Sequence, residues 1–502
     1  LVERFPLNFE IVSVKNGEAQ GQEIIWPIAL KKGKTSTLSY TYQAPGISPS
    51  IFLLGSSSVK DSEGNIVFEE TREWQLASDN ACQSAATGNW SAAGSWTSCG
   101  GTTPQAADTV TILNTHTITQ DSASVTVTDI TINTGGTLVV TGTNAITLSG
   151  SWSNSGTFTA NSSTVTFSST TTGKTLGGTI SGTSGKFYII VFNGVGGGWT
   201  LNAAIESAND FTVTNGTLNT NDTSSYALTV GDDYTMNSGA TVDANASAFS
   251  VAGTWTQSNT TWNTQSTGYG TSTVTLTGTT KNIATVNNGE FYKLTVRGTY
   301  TRSGTSARLN VRNNLNVQVG GSLSTGTSCG DILQRGGSGT TLTIAGTLTG
   351  SCNFWVLGST VPTFSLTGTL TVTGEFLYQL TGTGSHTIPA YNYGTGGTLH
   401  LYSNSNTNTY VLGAGTFTTG TLNMGQSTAA KTLTIDSVTN APTINITLDV
   451  TFPNENGAAT FNMGDSSISV GRHWINTDTS ATVSVGTSTV TFSNDTAAGN
   501  IT

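Results

Sequence analysis

The chain of 502 residues holds few side chains able to do chemistry, so their placement matters. Cleavage of a polysaccharide needs two carboxyl groups about 5 to 10 Å apart, or a metal held by carboxylates beside a basic group. Past residue 80 the acids are sparse, and Asp232 and Asp233 form the one adjacent pair. Neighbours on a strand point to opposite faces. About one β-helix coil away lie Glu206 and Asp210 on one side and Asp243 on the other. This set reads as solvated turn acids, and the chain as no enzyme. The four histidines, His116, His386, His400 and His473, are too dispersed for a zinc spacing. No calcium-repeat motif, phosphate loop or serine elbow is present, so no metal or cofactor is expected.

Two binding chemistries remain. Lys293, Arg297, Arg302, Arg308 and Arg312 make the densest positive stretch, and one or two coils could gather several of them on one face. An anionic glycan or an acidic neighbour would suit such a face, and a solvated surface is its plainer reading. Trp199, Trp262, Tyr391 and Tyr393 are candidate glycan contacts if exposed. Sequons such as Asn161-Ser162-Ser163, Asn215-Gly216-Thr217 and Asn445-Ile446-Thr447 are expected by chance at this composition.

The four cysteines allow three pairings. Cys82 and Cys99 flank Trp90 and Trp96. Cys329 and Cys352 lie about one coil apart, so stacking would bring them together. The expectation is two local disulfides, Cys82–Cys99 and Cys329–Cys352, and hence an oxidising compartment.

The rest of the composition sets the frame. Charged residues are 9% of the chain, Gly numbers 60 and Pro only 9. Low charge with many β-forming residues argues for a packed chain rather than a disordered one. A net charge of −10 argues against nucleic acid as a partner, because phosphate binding needs clustered Lys and Arg. No apolar run is long enough to span a bilayer, and the opening Leu1-Val2-Glu3-Arg4-Phe5 lacks the pattern of a signal peptide.

Charge density falls sharply near residue 80. Before it, alternating runs such as Phe9 to Val14 and Thr37 to Tyr42, set off by Asn16-Gly17 and Pro45-Gly46 turns, predict a small immunoglobulin-like β-sandwich over 1–80, whose start lies upstream of residue 1. After it, short Thr/Val/Ile/Leu strands alternate with Gly and Asn turns, and helix signals are absent. These strands repeat. Ser163-Thr164-Val165-Thr166-Phe167 returns at 272–276 and 488–492, with a weaker copy at 376–380. Phe187-Tyr188 returns as Phe291-Tyr292, and Gly216-Thr217-Leu218 as Gly321-Ser322-Leu323 and Gly420-Thr421-Leu422, in the same order. The super-repeat is about 105 residues, with turn–strand units at roughly 20-residue intervals inside it. The fold class this predicts is all-β, a long β-solenoid whose coils bury their apolar residues only by stacking. An entry segment over 81–130 leads into coils over 131–502, and the last copy stops mid-repeat, as expected of a section of a longer polypeptide.

The segment Gly88-Asn89-Trp90-Ser91-Ala92-Ala93-Gly94-Ser95-Trp96, followed by Pro104 and Asp108-Thr109-Val110-Thr111-Ile112, resembles the opening of solenoid domains in large secreted surface proteins and adhesins. With Thr71 to Asp79 and the Ser-Thr-Val-Thr-Phe repeats, the chain resembles very large repeat-rich cell-surface proteins of environmental bacteria. The resemblance implies export, a cap formed by Trp90 and Trp96, and a structural or adhesive role, with no catalytic position. The expected function is a self-associating subunit of an extracellular fibre, sheath or surface layer. An adhesin or glycan-binding stalk is the alternative, and a polysaccharide-degrading enzyme comes third.

Overall fold

A computed structural model describes residues 1–502 except 7–8, 44–49, 72–73, 79–80, 100–101, 259–263, 266–267, 286–288, 304–307, 328–330, 405–406, 427–430, 455–456 and 494–502. The chain divides into two units, Leu1–Ser169 with Lys174–Tyr188, and Thr170–Gly173 with Ile189–Thr502. The architecture is all-β. Among the described residues the only helical element is the 3-10 turn Ala93–Ser95, and no helix is long and apolar enough to cross a membrane.

The first unit begins with antiparallel pairs. Val2–Arg4 pairs with Glu23–Ile25, Glu10–Lys15 with Ser39–Gln43, and Ser50–Leu54 with Trp74–Ser78. Their apolar faces close over Phe5, Ile24, Trp26 and Leu54, with Tyr40 and Tyr42 packed against them. The Trp26 indole donates to the Lys15 carbonyl at 3.1 Å, so even this large side chain leaves no polar atom stranded.

Parallel pairing starts where Ala81–Ser84 meets Thr109–Ile112. The first coils contribute three strands each, for example Thr109–Ile112, Thr117–Gln120 and Ser124–Val127. The register Val110–Ile130–Trp152–Leu176 fixes coils of 20 to 24 residues. The strand pattern is strictly alternating: Val110 and Ile112 are buried while Thr109 and Thr111 face outward. A single coil is too thin to cover such residues, and only the coils above and below remove them from water. Outward positions stack like on like. Thr117, Thr137 and Thr157 form one threonine ladder and Thr126, Thr147 and Thr166 another. A β-branched residue suits this pleated, half-covered surface.

The second unit repeats the device on its own coils. One ladder runs through Phe211–Asn219, Tyr234–Asp243, Trp255–Gln257 and Lys281–Thr285. Another runs from Ala248–Val251 through Thr273–Leu276, Gly289–Val296 and Leu309–Val317 to Glu375–Leu380 and Thr398–Ser403. A further pair of ladders, begun by Gly384–Ile388 and Thr416–Thr419, gives three strands per coil near the C-terminal end. The core is an aromatic column. Tyr234 stacks on Trp255 with ring centroids 4.3 Å apart, and Trp255 packs on Phe291 at 5.1 Å. Such pairs add about 0.5–1.5 kcal/mol each beyond area burial.

Corners are closed by glycine. A Cβ on Gly298 would lie 1.8 Å from the Gly278 carbonyl oxygen one coil away. Ladder bonds continue through the same corners, with Thr299 N–H donating to Gly278 O at 2.9 Å. The buried Tyr300 hydroxyl ties several coils at once: it accepts from Gly278 N–H at 3.0 Å and lies 2.9 Å from the Gly253 carbonyl.

Candidate functional site

The turn residue just before a strand recurs as an acceptor for the coil above. Asp210 accepts from Asp233 N–H at 3.2 Å, and Asp233 accepts from Thr254 N–H at 2.7 Å. Asn353 receives Glu375 N–H at 2.9 Å, and Asp449 receives His473 N–H at 3.1 Å. In the first unit Asp129 receives Ser151 N–H, and Ser151 Oγ in turn receives Thr175 N–H at 3.1 Å. These are orphan backbone donors satisfied by side chains, the solenoid counterpart of a helix cap. The turn acids expected to be merely solvated are thus parts of the ladder.

Asp232 and Asp233 lie in a turn with their side chains 42% and 49% exposed, as expected of solvated turn acids. The two precede the strand Tyr234–Asp243 rather than lying in it, so they do not diverge. Both face Lys281 from two coils away, at 2.8 and 4.0 Å. The hydrogen bond and charge of Asp232 raise the Lys281 pKa. Asp210 lies directly beneath Asp233, and burial, reinforced by the Asp233 and Asp232 charges, raises its carboxyl above the usual range. Asp243 stacks instead on Asn219.

The richest chemistry lies on the outer face of the ladder from Gly289–Val296 to Thr398–Ser403. Arg308 pairs with Asp331 at 3.7 Å and lies over the Trp355 ring, 4.5 Å from its centroid. Glu290 engages Arg312 closely and Arg335 at 3.8 Å. Glu375 contacts His400 Nδ1 one coil on, and the His400 ring lies 5.1 Å from that of Tyr402. Leu333 and Leu377 flank Trp355 on the same outward register and are nearly covered. Burial raises the Asp331 carboxyl, against the opposing pull of Arg308.

The expected cationic patch is therefore corrected at Arg302, Arg308 and Arg312. Arg308 and Arg312 are engaged by Asp331 and Glu290. Arg302 is buried, and burial lowers its pKa. Arg297 donates to the Gln318 side chain at 3.0 Å, and Lys293 lies 5.8 Å from the Tyr292 ring centroid. Sequence reading missed Glu290, Arg335, Trp355, Glu375 and His400, because only offsets of one or two coils bring them together. The signal available was the spacing of 25 residues between Glu375 and His400.

The expected glycan contacts are corrected at Trp199 and Tyr393. Trp199 is buried against Phe192, with centroids 5.1 Å apart. Tyr393 is buried too, its hydroxyl donating to Pro389 O at 2.7 Å. Tyr391 is half-buried, with its hydroxyl on the Gly368 carbonyl. Trp262 lies outside the described residues.

At the start of the parallel coils, Cys82 and Cys99 form a disulfide with Cα atoms 4.8 Å apart. Between them the buried Trp90 and Trp96 meet edge to face at 4.9 Å, and the Trp96 indole donates to Trp90 O at 2.8 Å. Ser91 bonds both oxygens of Asp121 and lowers that carboxyl's pKa. Cys352 is buried, and Cys329 lies outside the described residues, as does any bond between them. Among the described residues no group of three or more His, Cys, Asp or Glu is placed to hold a metal.

The disulfide, the paired tryptophans and the first full coils fall within or beside one recognisable segment. Residues 95–177 match the G8 domain. G8 domains are found in extracellular proteins. The match covers about a sixth of the chain. No curated protein and no solved structure gives a significant match. The remaining coils rest on their own geometry.

Proposed function

We propose that the chain is a structural extracellular protein, a self-associating β-solenoid subunit of a surface fibre, sheath or surface layer. The observation that supports this best is the use of its scarce charge. Lys281–Asp232, Arg308–Asp331, Arg312–Glu290, Arg335–Glu290, His400–Glu375 and Arg472–Asp449 each join different coils. Charge is spent on holding coils in register rather than on display. The outward ladders are mostly short hydroxyls, so a second copy meets little electrostatic repulsion. The G8 match and the disulfide support an extracellular setting. The reading includes no turnover, no cofactor and no nucleic-acid partner.

Sedimentation velocity over a hundred-fold concentration range tests it. Growth of large species with concentration is expected, and a single monomeric species throughout contradicts it.

One observation favours a second reading, an adhesin or glycan-binding stalk. Arg308 stacked on Trp355 beside the half-exposed Arg335 presents guanidinium donors over an aromatic base. Glycan-array binding that disappears in Trp355→Ala would support this reading. Binding unchanged by that substitution would remove it.

A further inference from the structure

A corner of the second unit gathers oxygen atoms without donors. Asn219 lies directly beneath Asp243, one coil apart. The loop after Asn219 turns back so that Asp222 Oδ1 accepts from Asn219 Nδ2 at 2.9 Å. Asn219 Oδ1 accepts from Asn245 Nδ2 at 3.0 Å. Asn219 is thus the hub around which Asp222, Asp243 and Asn245 converge from two coils.

Asn245 is only 4% exposed. Its Nδ2 is held by three oxygens, Asn219 Oδ1, Thr220 Oγ1 and the Asp243 carbonyl, at 3.0 to 3.2 Å. That anchoring fixes the orientation of the amide, and its carbonyl Oδ1 is buried with no hydrogen-bond partner. Asp243 Oδ1, two residues away, is also buried and also without a partner. A buried oxygen left without a hydrogen-bond partner is destabilising, more so when charged. Here two occur two residues apart in the chain, and the charge that Asp243 feels is the negative one of Asp222.

The occupant that answers all of this is positively charged and takes only oxygen ligands. A water would supply donors but would leave the negative charges of Asp222 and Asp243 uncompensated. We propose that Asp222, Asp243 and the Asn245 carbonyl bind a hard divalent cation, Ca2+ by the chemistry of its ligands, which clamps two successive coils. Asn219 positions the set without needing to ligate. Two carboxylates and an amide oxygen form a weak site, in the 10⁻⁴–10⁻³ M range typical of extracellular modules. Such a site fills outside a cell and empties at cytosolic calcium.

Hydrogen exchange of the full chain, stripped with chelator and then returned to 10 mM CaCl2 or MgCl2, tests the proposal at the peptides covering 219–227 and 243–247. Ca2+ is expected to slow exchange there about 10- to 100-fold, with Mg2+ much weaker. Asp243→Asn and the exposed Asp222→Asn should each cut the calcium response at least ten-fold while protection of the coils at 273–296 stays as in the parent chain. The proposal is overturned if Ca2+ leaves these peptides unchanged, or if lowering the pH from 7 to 5 protects them while Ca2+ does not. The latter result would assign the two bare oxygens to a protonated Asp243. A calcium response fully retained in both variants overturns it as well.

Discussion

Reducing the Cys82–Cys99 bond should loosen the start of the parallel coils by an amount that the chain connectivity sets. The bridge closes a loop with a sequence separation of 17. In the chain-entropy model a loop of that size removes about 3 kcal/mol of unfolded-state freedom. Both cysteines are buried, at 0% and 5% exposure. Opening of the segment then becomes about 150-fold more frequent, at 1.4 kcal/mol per decade. The assay is hydrogen exchange of peptides within 81–99, with and without a phosphine reductant, in the regime where exchange reports opening equilibria. Peptides at 273–296, in the other unit, serve as the internal reference. The hydrogen bond from Trp96 to Trp90 and their edge-to-face contact survive reduction, so the segment should open more often rather than unfold outright. Acceleration below five-fold would refute the reasoning, because it would mean that the tryptophans and the first ladder hold the segment without the bridge.

Other expectations follow from single contacts. Tyr300→Phe strips the acceptor from Gly278 N–H and should cost about 1–3 kcal/mol, read as faster exchange at 276–300 with circular dichroism unchanged. Gly298→Ala drives a Cβ onto the Gly278 carbonyl and should cost about 1–3 kcal/mol as overpacking; a melting temperature equal to the parent's would show that the corner gives way freely. The pH response should differ between sites. Burial raises the Asp210 and Asp331 carboxyls, so their contribution is fully present below the ordinary carboxylate pKa and is lost as pH rises through the elevated values. Ser91 lowers Asp121, whose contribution is present above the ordinary pKa and is lost as pH falls through the lowered one. Exchange corrected for intrinsic rates should therefore slow near 210 and 331 between pH 7 and about 4.5, and quicken near 88–121 only at lower pH.

The solenoid was legible because its cause is local and periodic. Thr-Val-Thr-Phe at 164–167 and Thr-Val-Thr-Leu at 273–276 show the alternation directly, and the structure buries Val165, Phe167, Val274 and Leu276. The same alternation could have placed Trp199, which sits two residues before the buried Leu201 in one strand. Its size drew attention to a surface role that its register denies. Tyr393 carries no such strand signal, and its burial depends on Phe376 earlier in its own coil and on Phe417 one coil on. The charged face was illegible for a different reason. Arg308 meets Asp331 at the coil offset itself, whereas His400 lies two residues past the register partner of Glu375, and no sequence motif marks either pair. The Asp210 and Asp233 ladder was hidden because its partners are backbone amides, which a side-chain inventory does not list.

The central claim, that these coils are built to assemble outside the cell, is tested most directly by electron microscopy of native, undenatured material. Regular filaments or sheets with a constant axial repeat are expected. Isolated particles of single-chain mass at every concentration and in the presence of calcium would contradict it.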